Sequence, residues 1–135
     1  MILRAATMED APLLCAWRND PASRAASRRS YEIPLSEHLE YLGRADQVVS
    51  IAEVDGVPVG SVRLDCSSEV PELSWMVAPE HRRKGYGLQM VRAALHGPAV
   101  AQIKRTNTGS LAIARTLGMK VIREDDTYLW FHAAT

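Results

Sequence analysis

Residues 77–87 read VAPEHRRKGYG and form the most informative stretch of the 135-residue chain. A predicted strand ends at Val77, and apolar residues spaced as on one helix face follow a basic turn, so a helix is expected to start near Gly85. The start of such a helix offers free backbone N–H groups and a positive dipole end, which bind phosphate. Gly85 and Gly87 let the backbone approach an anion closely. The turn therefore predicts a pyrophosphate site with charge-assisted contacts from Arg82, Arg83 and Lys84.

Two better-known phosphate motifs do not fit this stretch. The chain has no G-x-x-x-x-G-K-[ST] segment, which excludes a P-loop. The dinucleotide pattern G-x-G-x-x-G fails because Met90 stands at its third glycine, and no acid follows within ~20 residues to hold a ribose.

The charge of the chain is unevenly distributed. The net charge is zero, yet residues 1–80 carry a net charge of −6, and residues 81–123 hold nine basic residues and no acidic one. Such a basic stretch favours a compact polyanion, although a solvated basic face paired with the acidic first half explains it equally. Zero net charge and few aromatic residues argue against a nucleic-acid module.

Length and composition predict one globular domain over residues 1–135, with 47% hydrophobic and 24% charged residues. No apolar run approaches the ~20 residues that span a bilayer, and no apolar leader is seen, so we expect a cytoplasmic protein without membrane contacts. Cys15 and Cys66 lack ligand spacing, which suggests neither zinc nor a disulfide and favours two small buried side chains.

The pattern of apolar residues and turns predicts an α/β fold with a mixed sheet of about seven strands and about four helices. Asp55-Gly56 predicts a type I′ hairpin. A helix to about Trp17 is followed by an Ala/Ser/Arg-rich connection, and Ser36 is a plausible N-cap for the second helix. The remaining predicted elements are strands at Val70–Val77, Val100–Thr106, Lys120–Ile122 and Tyr128–His132, and a helix at Thr108–Leu117.

The chain resembles the GNAT acetyltransferase superfamily, whose hallmark R/Q-x-x-G-x-G/A is matched from Arg82 to Gly87. A second GNAT element, N-x-x-S before a closing G-[FM], is matched by Asn107-Thr108-Gly109-Ser110 and Gly118-Met119. The agreement extends from Leu3 to His132. The resemblance implies an acetyl-CoA cleft where the strand ending at Val77 and the strand beginning near Val100 splay apart.

The resemblance also implies the cosubstrate-binding residues, and it implies no metal. Backbone N–H groups of Met76 and Val77 are expected to hold the pantetheine and polarise the thioester carbonyl. Asn107 and Ser110 are expected to line the other wall, a role that can coexist with turn and N-cap chemistry. The loop expected to bind the pyrophosphate consists of Arg82, Arg83, Lys84, Gly85, Tyr86, Gly87 and Leu88.

Transfer to an amine needs a base, because an alkylamine is mostly protonated at neutral pH. Glu72 is the candidate catalytic base, since related enzymes often carry a glutamate there and strand alternation places Glu72, Ser74 and Met76 on one face. Ser74 is a candidate to hold a relay water. The alternative for Glu72 is an exposed strand carboxylate. The tyrosine that many GNAT enzymes use as general acid is replaced by Ala114, for which Tyr86 is a conceivable substitute.

The first half of the chain is expected to form the acceptor pocket, and its net negative charge is compatible with a cationic amine. Trp17-Arg18-Asn19-Asp20-Pro21 with Ser36-x-His38 resembles GNAT enzymes that acetylate a nucleotide-linked amino sugar in pseudaminic-acid biosynthesis, and more loosely ribosomal-protein N-terminal acetyltransferases. Trp17 could as easily be a packing residue, and His38 a satisfied surface histidine.

The resemblance thus predicts an acetyl-CoA-dependent N-acetyltransferase that acts by direct attack of a primary amine, with a nucleotide-linked amino sugar as candidate acceptor. Protein N-terminal or small-amine acetylation, or a non-catalytic acetyl-CoA-binding regulatory module, are the alternatives. The sequence does not decide between a monomer and a homodimer.

Overall fold

The computed structural model describes residues 1–134, which form one seven-stranded mixed sheet and five α-helices. The strands are β1 (Ile2–Ala5), β2 (Gln47–Val54), β3 (Val57–Asp65), β4 (Glu72–Val77), β5 (Ala99–Lys104), β6 (Lys120–Glu124) and β7 (Tyr128–Ala133). The helices are α1 (Ala11–Asn19), α2 (Pro21–Ala26), α3 (Leu35–Leu42), α4 (Tyr86–Ala94) and α5 (Thr108–Thr116). The strand order is β1-β2-β3-β4-β5-β7-β6. The predicted mixed α/β sheet is confirmed.

Helix α2 is the element that the sequence reading missed. The Asp20 carboxylate accepts the backbone N–H groups of Ala22 and Ser23 at 3.2 and 3.3 Å, and Pro21 occupies the first turn. Asp20-Pro21 therefore ends α1 and begins a new helix at once. The next helix, α3, begins at Leu35 directly after Pro34, so the prediction of Ser36 as its N-cap is wrong.

The predicted hairpin between β2 and β3 is confirmed. Asp55 and Gly56 have φ values of 51° and 79°, as a type I′ turn requires. Both cysteines are free thiols, and Cys15 is half-buried. The prediction that both are buried is wrong for Cys66, which is exposed just after the end of β3.

Helices cover both faces of the first four strands. On one face α1 buries Leu14 and Trp17 against Ile51 of β2, and Tyr41 and Leu42 of α3 pack beside them. On the other face α4 packs against β3 and β4, through a cluster that includes Val59, Val62, Leu73, Met90 and Val91. Helix α5 packs on β5 and β7 through Leu111, Ala114, Ala101 and Phe131.

Strands β4 and β5 run parallel but stay together only at their start. They pair at Glu72 and Val100, and the Val100 N–H donates to the Pro71 carbonyl at 2.9 Å. Toward Val77 the two strands diverge, as the resemblance implied. Glu72–Val100 is the only register pair between β4 and β5 within the described residues. Among residues 1–134, no helix is long and apolar enough to cross a membrane.

Candidate active site

A cavity of about 950 Å³ opens at the gap between β4 and β5. One end lies at the starts of α4 and α5, and the other extends beneath α1, α2 and α3 along one face of β3 and β4. Lys84 is the one predicted site residue that does not line the cavity. Those that line it are Glu72, Ser74, Met76, Val77, Arg82, Arg83, Gly85, Tyr86, Gly87, Leu88, Asn107 and Ser110.

Successive peptide groups of β4 point alternately toward β3 and toward the gap. The Ala78 N–H donates to the Val59 carbonyl of β3, whereas the Pro71 carbonyl accepts from Val100 of β5. Alternation then directs the N–H groups of Trp75 and Val77 into the gap and that of Met76 toward β3. The geometry thus fits the predicted role of the Val77 N–H. It does not fit the role expected of the Met76 N–H, because the Trp75 N–H, which strand alternation alone would have indicated, faces the gap instead.

The turn between β4 and α4 presents free backbone donors to the cavity. Arg83 and Gly85 have φ values of 63° and 79°, and Gln89 is the first residue of α4 whose N–H reaches a backbone carbonyl, that of Gly85 at 3.3 Å. The N–H groups of the first helical turn are therefore available to an anion. Gly87 has a packing role as well, because a Cβ there would lie 2.8 Å from Ile113 Cδ1.

Arg82 is already bonded within the protein. Its Nη2 donates to Asp20 Oδ2 at 3.0 Å and to Ser23 Oγ at 2.9 Å, which ties the turn to α2. Burial acts to raise the pKa of the Asp20 carboxyl, but this guanidinium and the helical N–H groups lower it overall. Arg82 thus positions α2 over the cavity. Arg83 is the basic side chain of the turn that lines the cavity and has no hydrogen-bond or ion-pair partner within residues 1–134.

Three further residues of the basic stretch have partners of their own. Lys104 Nζ donates to the Ala25 carbonyl at 2.8 Å, Arg105 pairs with Glu124 at 3.1 Å, and the Arg123 guanidinium lies 4.4 Å from the ring centre of Trp130. The single positive field expected from the sequence is therefore divided between several faces.

The far wall of the gap is formed by the start of α5. Asn107 is the N-cap of this helix, and its Oδ1 accepts the Ser110 N–H at 3.2 Å. Both residues line the cavity, so the capping role and a wall position coexist as expected. Ala114, one turn further, is fully buried against the sheet and does not line the cavity, whereas Tyr86 does.

The candidate base lies at the start of β4. Glu72 Oε1 accepts a hydrogen bond from Arg28 Nη2 at 2.7 Å, and the Glu72 side chain is 27% exposed. Glu72, Ser74 and Met76 alternate along β4, and Met76 packs with the α1 cluster, so this face of β4 looks toward α1, α2 and α3. The predicted arrangement of these side chains on one face is confirmed.

Each residue of the Trp17–Pro21 motif has a defined place. Trp17 is 3% exposed in the core, and Arg18 lines the cavity. Asn19 holds the segment before α3, because its Oδ1 accepts the Ile33 N–H at 2.7 Å and its Nδ2 donates to the Ile33 carbonyl at 2.9 Å. Asp20 and Pro21 start α2. The motif therefore joins α1, α2 and the segment before α3, which together form the wall of the cavity opposite β3 and β4.

His38 of α3 also belongs to this wall of the cavity. It is 2% exposed, it lines the cavity, and its ring lies 5.3 Å from that of Tyr41. Burial, which disfavours the imidazolium, lowers the pKa of His38. The alternative of a surface histidine is thus wrong.

The end of the cavity beneath α1, α2 and α3 is lined by more positive than negative side chains, whereas the net negative charge of the first half was compatible with a cationic acceptor. The ionic lining of this end consists of two glutamates and four arginines, namely Glu37, Glu72, Arg18, Arg28, Arg29 and Arg63. The acidic residues of the first half mostly lie elsewhere, so its net negative charge does not describe the pocket. Within residues 1–134 no group of three His, Cys, Asp or Glu side chains is placed to hold a metal ion.

Comparison with known proteins is consistent with this architecture. The family model described as the acetyltransferase (GNAT) domain matches residues 1–120. The chain therefore belongs to the GNAT acetyltransferase family, whose members transfer an acetyl group from acetyl-CoA. No curated protein matches the chain significantly.

Solved structures share the fold at low sequence identity. A ribosomal-protein-alanine N-acetyltransferase from Brucella melitensis is 22% identical with a TM-score of 0.79, and the match covers 100% of both chains. The yncA protein of Salmonella typhimurium, solved with its cofactor acetyl-CoA, is 19% identical with a TM-score of 0.79 over 99% of this chain and 93% of its own. The spermidine/spermine N-acetyltransferase SpeG of Vibrio cholerae is 15% identical with a TM-score of 0.79, over 98% and 92%.

Proposed function

We propose that this protein transfers the acetyl group of acetyl-CoA directly to a primary amine. The carrying observation is the gap between β4 and β5, where the Val77 peptide group faces a cavity that also meets the free N–H groups of the α4 start. A peptide N–H so placed stabilises negative charge that develops on the thioester oxygen. The first turn of α4 and Arg83 suit the pyrophosphate.

In the proposed reaction the amine nitrogen bonds to the thioester carbonyl carbon, the C–S bond breaks, and the sulfur leaves as the thiolate. A proton leaves the amine and passes to Glu72. Glu72 lies five residues before Val77, which is about 16 Å along a strand, so water held near Ser74 must bridge the distance. The thiolate is a tolerable leaving group because a thiol has a pKa of ~8.5. Tyr86, which lines the cavity, is the candidate to protonate it.

The role of Glu72 is tested by Glu72→Gln. We expect kcat to fall by about 100-fold, while the Kd for acetyl-CoA stays unchanged. Glu69→Gln is the matched control, since Glu69 is an exposed carboxylate in the loop before β4 and does not line the cavity. Arg28→Gln breaks the same ion pair but leaves the carboxylate, so it separates the base from the pairing. Unchanged turnover of Glu72→Gln would remove Glu72 from the mechanism.

The activity itself is tested by thiol release from acetyl-CoA with a nucleotide-linked amino sugar, the candidate acceptor, and with peptides bearing free N-termini, polyamines and small amine antibiotics. Release with one class would establish the activity and choose the acceptor. If no amine of the panel releases thiol although acetyl-CoA binds, the result would favour a non-catalytic acetyl-CoA-binding module.

A further inference from the structure

We propose that the amine acceptor carries an anionic group, a carboxylate or a phosphate, which Arg18 and Arg63 hold at the α1–α3 end of the cavity. The proposal rests on the acetyltransferase function proposed above and narrows the class of its substrate.

The two glutamates of this end are already neutralised. Arg28 pairs with Glu72 at 2.7 Å, and Arg29 pairs with Glu37 through both of its terminal nitrogens. Arg18 and Arg63 have no carboxylate within salt-bridge distance in the described part of the chain. This end of the cavity therefore retains two positive charges after its internal pairs are counted.

Arg18 extends from the last turn of α1 with unused hydrogen-bonding capacity. Its Nη2 donates to the Arg29 carbonyl, whereas its Nη1 is buried without a partner among residues 1–134. Burial and the neighbouring charge of Arg29 lower the pKa of the Arg18 guanidinium. A half-buried guanidinium with a buried, free donor and a like-charged neighbour is costly unless an anion joins it.

Arg63 approaches from the sheet below. Its guanidinium carbon lies 5.4 Å from the ring centre of Tyr41, and its Nε is buried without a partner in the described residues. Asp65, two residues further along β3, directs its carboxylate to the backbone N–H and hydroxyl of Ser67 at 3.0 and 2.6 Å. The nearest acid on the same strand is therefore engaged elsewhere.

Arg18 and Arg63 line the same cavity as His38 and Tyr41. Burial raises the pKa of Tyr41, and the charges of Arg63 and Arg18 both oppose that rise. Both also act with burial to lower the pKa of His38. Arg18 of α1 and Arg63 of β3 therefore border the same end of the cavity, as a subsite for one anionic group requires.

The subsite lies within the reach of a small molecule that reacts at the gap. Arg63 of β3 is paired with Ser74 of β4. Ser74 lies three residues before Val77, so the backbones of Ser74 and Val77 are about 10 Å apart along the strand. The length of an arginine side chain shortens this separation. One acceptor can therefore place its amine near the thioester and its anion between the two arginines.

The test compares amines that differ in one anionic group. Glucosamine 6-phosphate is compared with glucosamine, leucine with leucine methyl ester, and spermidine serves as a polycation. The variants are Arg18→Gln, Arg63→Gln and Arg63→Lys. The control is Arg44→Gln, because Arg44 is an exposed arginine outside the cavity that pairs with Asp46.

We expect the wild type to prefer the anionic member of at least one pair, with the phosphate and carboxylate pairs showing which anion fits. Each Gln variant should raise KM for that member by about 10- to 100-fold, with little change for its neutral counterpart, for kcat or for the acetyl-CoA Kd. Arg63→Lys should restore part of the loss. Equal use of both members by the wild type, a preference for spermidine, or equal losses for both members would overturn the proposal.

The two proposals fail in different ways. If acetyl-CoA binds but no amine releases thiol, the transferase function fails, and calorimetric binding of glucosamine 6-phosphate against glucosamine in the presence of CoA still decides the anion site. The site is supported if glucosamine 6-phosphate binds, glucosamine does not, and the binding is lost in Arg63→Gln. The site is overturned if glucosamine 6-phosphate does not bind in this way. If a Gln variant is unfolded, the comparison of paired amines on the wild type stands in its place.

Discussion

The ion pair between Arg4 and Asp10 ties β1 to the start of α1, the helix whose other end carries Arg18. Asp10 is 11% exposed at its side chain. Its carboxylate accepts from Arg4 Nη1 and Nη2 at 2.8 and 2.9 Å and from the Thr7 N–H at 2.8 Å. Chiefly the hydrogen bonds from Arg4, opposed in part by burial, lower the pKa of Asp10 from 3.8 to about 2.

That shift predicts how stability depends on pH. The pKa in the folded protein is below the unfolded value, so the unfolded chain binds a proton more readily. The stabilisation is therefore complete above the unfolded pKa near 4 and is lost as pH falls from about 4 through 2. A lowering of nearly two pKa units corresponds to about 2 kcal/mol of unfolding free energy.

Urea unfolding of the wild type, Asp10→Asn and Asp46→Asn between pH 7 and pH 3 measures this contribution. We expect Asp10→Asn to be less stable than the wild type by about 2 kcal/mol at pH 7 and the difference to shrink below pH 4. Asp46 pairs with Arg44 at a more exposed site, so Asp46→Asn should cost less than about 1 kcal/mol. A difference between Asp10→Asn and the wild type that is the same at pH 7 and pH 3 would refute the reasoning.

Three further predictions concern the cosubstrate end of the cavity. Arg82→Gln should lower the unfolding free energy by about 1 kcal/mol because it releases Asp20 and Ser23. Arg83→Gln should leave the unfolding free energy unchanged and raise the acetyl-CoA Kd roughly 10-fold. Urea unfolding measures the first effect and calorimetry the second, and the reverse pattern would contradict the assignment. Gly85→Ala should cost about 1 kcal/mol in urea unfolding, since its φ is 79° while the space around its Cβ is open, and no loss would mean that the turn relaxes freely. Asn107→Ala should cost about 1 kcal/mol through the lost N-cap of α5 and Asn107→Ser much less, and equal losses in thermal unfolding would argue against capping.

Local signals in the sequence predicted most of the fold. Asp55-Gly56 requires positive φ at both positions, which only a tight hairpin uses well, and the apolar spacing after Gly85 suits α4. Helix α2 was missed because Asp20-Pro21 is a helix terminator by one rule and a helix start by another. Both rules apply at Asp20-Pro21. The helix start could be predicted only with the knowledge that the chain turns back over the sheet after α1.

The site was predictable where backbone geometry decides it and less so where distant side chains do. Alternation along β4 is a local property, and it places Glu72, Ser74 and Met76 on one face. The partner of Arg82 lies more than 60 positions earlier in the chain, at Asp20, so the motif alone assigned this arginine to phosphate. Long-range ion pairs of this kind leave no spacing signal in a single sequence.

The charge of the acceptor pocket shows the same limit and bears directly on function. The acidic excess of residues 1–80 was compatible with a cationic acceptor, yet Arg4 engages Asp10 and Glu53, and Arg44 engages Asp46, all outside the cavity. The field a ligand meets depends on the charges that face it after internal pairs are formed, and in this pocket those are Arg18 and Arg63. An acceptor without a negative group would leave both guanidiniums without a counter-charge once water is displaced, and this cost opposes its binding. Anionic amines, including phosphate-bearing amino sugars, are therefore the acceptors that this pocket should favour over polyamines.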